Sequence, residues 1–163
     1  MRTHLALPAI LAATLLMVIA TPSNIADANP SGIFQSLNGT WRGTGRIKLT
    51  GGNTQRIACR AYYNVKDHGA GLGLAIRCAS ADNKIELRAR LNDENGKLSG
   101  TWEERTFNAT GNISGRAKSG SVRMTIDGAI SGSMNISYSQ RRQTVSISTA
   151  TEGLKGISIN LRR

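Results

Sequence analysis

Histidine is nearly missing from this chain: two occur in 163 residues, and one of them, His4, lies just before the N-terminal apolar run. The remaining His68 lies on a predicted turn. A Ser-His-Asp triad or a zinc site needs more partners than it offers. No G-x-x-x-x-G-K-S/T phosphate loop occurs. The neighbouring Glu103 and Glu104 would point to opposite faces of a strand and cannot act as one acid/base pair. The residues therefore predict no catalytic group, no metal and no cofactor. Aromatic residues make up only 4%. That leaves little to stack on bases, so nucleic acid is not expected as a partner. Proline is scarce, at 3, and helical 3.6-residue patterning is almost absent. Acidic side chains number 10 against 21 Lys and Arg, a net charge of +11.

One long apolar run is present, at the start. Arg2 precedes the apolar stretch Leu5 to Ala20, and Ala26-Asp27-Ala28 is a small-x-small cleavage site. The run is short for a membrane span and has the form of a secretory signal. The sequence predicts a signal peptide over 1–28 and a single domain over 29–163, exported to the periplasm or secreted. No lipobox cysteine is present. In that compartment a strongly basic protein meets lipid head groups, lipopolysaccharide phosphates and acidic wall polymers. The two cysteines, Cys59 and Cys78, are expected to form a disulfide there.

Period-2 alternation runs through the rest of the chain, the mark of half-buried strands. Trp41, Gly43, Gly45, Ile47 and Leu49 share one face. Ile57, Cys59, Ala61, Tyr63 and Val65 follow, then Leu72, Leu74, Ile76 and Cys78, then Ile85, Leu87, Ala89 and Leu91. Weaker repeats continue through Leu98 to Trp102, Ile113 to Ala117, Val122 to Ile126, Met134 to Tyr138, Val145 to Ile147 and Ile157 to Leu161. Gaps such as "TGGN", "KDHGA", "SADN" and "DENG" are short and made of turn residues. The pattern predicts an all-β fold: an antiparallel up-and-down meander of about 8–10 strands closed into a small barrel. A short N-terminal helix, within Ser31 to Gly39, would plug one end. Tyr63, Trp102 and Tyr138 fall at inward positions. Glu104 also falls inward by parity, where a carboxylate needs a partner; a place at the rim, where its strand ends, is expected.

Centring a hairpin on "DHGA" sets Cys59 opposite Cys78, Tyr63 opposite Leu74 and Val65 opposite Leu72, so hairpin and disulfide support each other. Centring the preceding turn on Gly52 sets Lys48 opposite Arg56, and the next hairpin sets Arg60 opposite Arg77. Arg42, Arg46, Lys48, Arg56, Arg60 and Arg77 then share one outer surface, a candidate anion-binding patch, with Glu86 beside Arg77. The inward glycines, Gly43, Gly45, Gly100, Gly111 and Gly115, would either leave a cavity or let the barrel flatten and fill.

Both tryptophans sit in an L-x-G-T-W frame, "LNGTW" and "LSGTW", read mainly as a way of starting a strand. Gly39-Thr40-Trp41 resembles the G-x-W opening of calycins, the superfamily of lipocalins, fatty-acid-binding proteins and avidins. The resemblance implies a barrel with one end closed by Trp41 and Gly39, and a basic residue near the last strand packed across the indole. Arg162 faces outward by parity, so Arg163, or a local bulge that turns Arg162, would take that part. The resemblance does not carry ligands: the positions that bind biotin in avidins hold Gly43, Gly45 and Ile47 here. The expected function is a non-enzymatic exported barrel that binds an anionic envelope component, lipid or polysaccharide, through its basic outer face. The alternatives are a carrier of a small apolar ligand in the interior and a secreted enzyme inhibitor.

Overall fold

A computed structural model describes residues 32–81 and 84–163. The expected signal peptide and its cleavage site lie outside the described residues, as do Ser31 and the tip of the "SADN" turn. Ten strands follow one another: β1 Gly39–Leu49, β2 Thr54–Lys66, β3 Gly71–Ala79, β4 Lys84–Glu94, β5 Lys97–Glu104, β6 Ala109–Lys118, β7 Ser121–Gly128, β8 Gly132–Tyr138, β9 Arg142–Thr149 and β10 Leu154–Arg162. Each pairs antiparallel with its sequence neighbours, and β10 pairs back onto β1 to close a barrel. Closure leaves no sheet edge unpaired. The expected N-terminal helix is a single 3-10 turn, Gln35–Leu37. Phe34 and Leu37 around it are fully buried and fill the barrel end beneath it.

The alternating pattern has the physical cause the sequence suggests. Along the strands apolar residues turn inward and polar ones outward, with Glu104 and Gln143 the buried polar exceptions among the described residues; on β2, Ile57, Cys59, Ala61 and Tyr63 are buried between more exposed neighbours. The β2–β3 register places Cys59 opposite Cys78, Tyr63 opposite Leu74 and Val65 opposite Leu72. Cys59 and Cys78 form a disulfide across that pair.

The first hairpin differs from the expected register. Its turn is centred on Gly51, with Leu49 N–H donating to the Asn53 carbonyl (2.9 Å), and Gly51 and Gly52 both take φ of 87°. Lys48 therefore lies opposite Thr54, and Arg46 is the residue opposite Arg56. The shift is two residues, so every side chain keeps its face. Two consecutive glycines with positive φ allow the tighter turn. The second tryptophan frame also departs from expectation. Gly39 and Trp41 open β1, whereas Trp102 lies inside β5, two residues before its end.

The inward glycines mark close backbone approach. A Cβ on Gly43 would lie 1.9 Å from the Asn160 carbonyl oxygen, and one on Gly111 would meet the Asp127 oxygen at 1.9 Å and the Trp102 indole nitrogen at 2.6 Å. At Gly43 the backbone of β10, and at Gly111 the backbone of β7 with the Trp102 indole, occupies the space a side chain would take.

Candidate functional site

The two barrel ends are built differently. At one end Trp41 is fully buried and its Nε1–H donates to the Leu37 carbonyl at 2.7 Å. The Arg163 guanidinium covers the indole, 4.5 Å from its centroid, and donates to the carbonyls of Asn38 (3.2 Å) and Ser36. The Tyr138 hydroxyl, half-buried on β8, donates to the Ile33 carbonyl at 2.6 Å and ties the N-terminal segment across. Deeper in, Tyr63 is buried and accepts a 2.5 Å hydrogen bond from Gln143 Nε2. Burial pushes the Tyr63 phenol well above its usual range, against the hydrogen bond from Gln143. The sequence reading missed Gln143, although its place two residues before Val145 puts it on the inward parity of β9.

The other end is open and apolar. A cavity of about 120 Å³ opens there, lined by Trp102, Met124, Met134, Leu87 and Ile157 among others, with Phe107 exposed at its mouth. Glu104 sits on the cavity wall at the end of β5. Its carboxylate accepts backbone N–H groups from Glu86 (2.9 Å) and Phe107 (2.7 Å) and so fixes the β5–β6 turn. It is thus both inward and at the rim, with the backbone as its partner.

The outer face is divided by charge. Strands β9, β10, β1, β2 and β3 adjoin one another in the barrel and carry no carboxylate. Their bases are Arg142 on β9, Lys155 and Arg162 on β10, and Arg42, Arg46 and Lys48 on β1. Arg56, Arg60 and Lys66 follow on β2, and Arg77 on β3. On the remaining five strands, seven Lys and Arg face six Asp and Glu, so that half is nearly neutral.

Register gathers part of this charge into a line. Arg142 lies opposite Arg162, Arg162 opposite Arg42, Arg42 opposite Arg60, and Arg60 opposite Arg77. All five are exposed. The row ends at Glu86 on β4, 3.3 Å from Arg77. A hydrogen bond from Arg88, with Arg77 adding its charge, holds the Glu86 carboxyl below the usual carboxylate range. Tyr62 lies between Arg60, which donates to its hydroxyl at 3.5 Å, and Arg77, 5.8 Å from its ring. Among the described residues, no ion pair reaches Arg42, Arg60, Arg142 or Arg162. Like charges directly opposed on a sheet cost stability, by a few tenths to about 1 kcal/mol per pair.

Beside this row runs a groove of about 980 Å³ that crosses the same five strands. Its floor is made of short side chains in register: Asn160, Thr44, Ala58 and Ala79. Its far bank carries Arg46, Lys48, Arg56 and Lys155. Of the six basic residues read from the sequence as one patch, Arg42, Arg60 and Arg77 stand in the row, and Arg46, Lys48 and Arg56 on the opposite bank. The sequence reading missed Arg142, Arg162 and Lys155, because closure of β10 onto β1 is what brings them alongside.

No family model and no curated protein matches the chain. Solved structures share its fold. The crystal structure of Rv2717c from M. tuberculosis superposes with a TM-score of 0.64 at 11% identity, covering 80% of this chain and 96% of that one. The S-type phycobiliprotein lyase CPES from Guillardia theta superposes with a TM-score of 0.55 at 11% identity, covering 80% of this chain and 90% of that one. At such identity the likeness extends to the fold alone: a ten-stranded antiparallel barrel consistent with the calycin-like architecture that the G-x-W opening implied.

Proposed function

We propose that this chain is an exported, non-enzymatic binding barrel that takes an anionic component of the cell envelope on its outer basic face. One observation carries the reading: five contiguous strands present ten basic side chains and no acidic one. Among the described residues, neutralising carboxylates are confined to the other strands and the turns. An anion docked here relieves repulsion within the row and gains summed Coulomb attraction, which salt screens. Export rests on the signal-like segment 1–28, and a mature protein beginning at Asn29 is its intact-mass signature. The non-enzymatic part rests on side-chain chemistry, since His68, the one histidine beyond that segment, is exposed on a turn.

The test is co-sedimentation with isolated envelopes of the source cell at low and high salt. Salt-sensitive binding, weakened by Arg56→Glu with Arg60→Glu while the fold is kept, is the expected result. Absence of binding at low salt, or indifference to the charge reversals, refutes it.

The open-end cavity supports a second reading, carriage of a small apolar ligand. At about 120 Å³ the cavity suits one ring or the end of an alkyl chain rather than a large cofactor. Native mass spectrometry of protein taken from its own source, without delipidation, detects such a ligand directly.

A further inference from the structure

We infer that the anionic partner is a single linear polymer with one carboxylate on each sugar unit, a polyuronate-type chain. It lies in the groove across β9, β10, β1, β2 and β3, with the arginine row along one bank. This rests on the proposed function and names the class of ligand that the same face takes.

The first argument is shape. Short Asn160, Thr44, Ala58 and Ala79 form the groove floor, Arg46, Lys48, Arg56 and Lys155 line one side, and by register Arg162, Arg42, Arg60 and Arg77 follow two residues along the strands from the floor on the other. The two banks are four residues apart along β1, from Arg42 to Arg46, or roughly 13 Å at the strand rise. That is one polymer chain wide. The trough follows the curve of the barrel wall, so a flexible chain can wrap along it. A flat bilayer would touch only the strands at the crest. A membrane-binding face also carries apolar or aromatic anchors. Phe107 is the one large hydrophobic residue exposed among those described, and it sits on the β5–β6 turn, away from the groove.

The second argument is spacing. Successive arginines of the row stand on successive strands, whose backbones lie about 4.8 Å apart, and their long side chains can adjust to a charge repeat of that order. A polyuronate places one carboxylate per sugar ring, at a repeat close to that step. Polyphosphate packs its charges more densely, and single-stranded nucleic acid sets them further apart. Guanidinium groups bind carboxylates through paired, charge-assisted hydrogen bonds. The third argument is the floor itself. Thr44, Asn160, Ser146 and Ser158 line the groove with hydroxyl and amide groups, which suit ring hydroxyls.

Oligogalacturonates from monomer to octamer provide the test, titrated against the mature protein at low salt with anionic phospholipid vesicles as a separate arm. Affinity should climb with each unit up to about five, the number of arginines in the row, and then level off. Arg42→Gln with Arg162→Gln, at the centre of the row, should weaken hexamer binding at least about tenfold. Arg116→Gln with Arg123→Gln removes the same charge from a cross-strand pair on β6 and β7 and should leave binding within about twofold. All four positions are exposed, and unchanged melting curves confirm that the variants are folded. Equal losses from both variants overturn the inference, because net charge alone then accounts for binding. Affinity that does not depend on length also overturns it. Binding to vesicles but not to oligogalacturonates overturns the inference and leaves the anionic-face function standing. Failure of both arms, together with isolated envelopes, removes both.

Discussion

Replacing Trp41 with alanine tests whether the G-x-W tryptophan is a structural plug. The indole is fully buried, donates a 2.7 Å hydrogen bond to the Leu37 carbonyl, and is covered by Arg163 at 4.5 Å. Truncating a buried tryptophan costs about 3–5 kcal/mol through lost burial and the cavity left behind. The orphaned carbonyl of the fully buried Leu37 moves the expectation to the upper part of that range. For a domain of this size the loss corresponds to a fall in Tm of roughly 15 °C. The Arg163 contact is exposed on one side and contributes about 0.5–1 kcal/mol. In the Trp41→Ala background, Arg163→Ala should therefore cost about that much less than it does in wild type, leaving only the loss of its hydrogen bonds to the Asn38 and Ser36 carbonyls. Trp41→Phe keeps a ring but loses the Nε1 donor, and should fall between wild type and Trp41→Ala. Thermal melts by circular dichroism and denaturant titration, run on the complete double-mutant cycle, give these values. A Trp41→Ala protein that melts like wild type but loses a bound ligand would mean that the indole grips a ligand, and the plug reading would be wrong.

Opening the Cys59–Cys78 disulfide with paired serine substitutions should cost about 3 kcal/mol, since the cysteines are 19 residues apart in sequence; two alkylatable thiols in protein isolated without reductant would contradict the bridge. Stability should decline as the pH rises past about 10, where the unfolded-state Tyr63 begins to ionise while the buried phenol of the folded state keeps its proton. Tyr63→Phe should flatten that alkaline limb, and a variant whose stability still falls just as steeply places the cause elsewhere. Glu104→Ala leaves the backbone N–H groups of Glu86 and Phe107 without their acceptor, and should cost about 1–3 kcal/mol and speed amide exchange at Phe107. Unchanged exchange there would show that the turn holds without the carboxylate.

Much of the architecture is written locally. Period-2 alternation decides which side chains of a strand can face a core, so the inward sets of β1 to β4 are legible residue by residue. The Cys59–Cys78 pair is legible because turn position and inward parity agree on one register. The absence of acidic residues from β1, β2, β3, β9 and β10 is also plain in the sequence once strands are drawn. Local information fails where geometry depends on more than one strand pair. The Leu49–Asn53 turn could be centred on either glycine, because both tolerate positive φ, and only the packed barrel selects Gly51 and sets Arg46 against Arg56. The apposition of Arg162 with Arg42 joins residues 120 positions apart, and no spacing rule reaches it. The close backbone approaches at Gly43 and Gly111, the satisfaction of Glu104 by backbone donors, and the groove beside the arginine row likewise exist only after closure. Side-chain direction is a property of each strand. Which strands become neighbours around the barrel, and how tightly they curve, is settled by tertiary packing, and the candidate site is made of those neighbours.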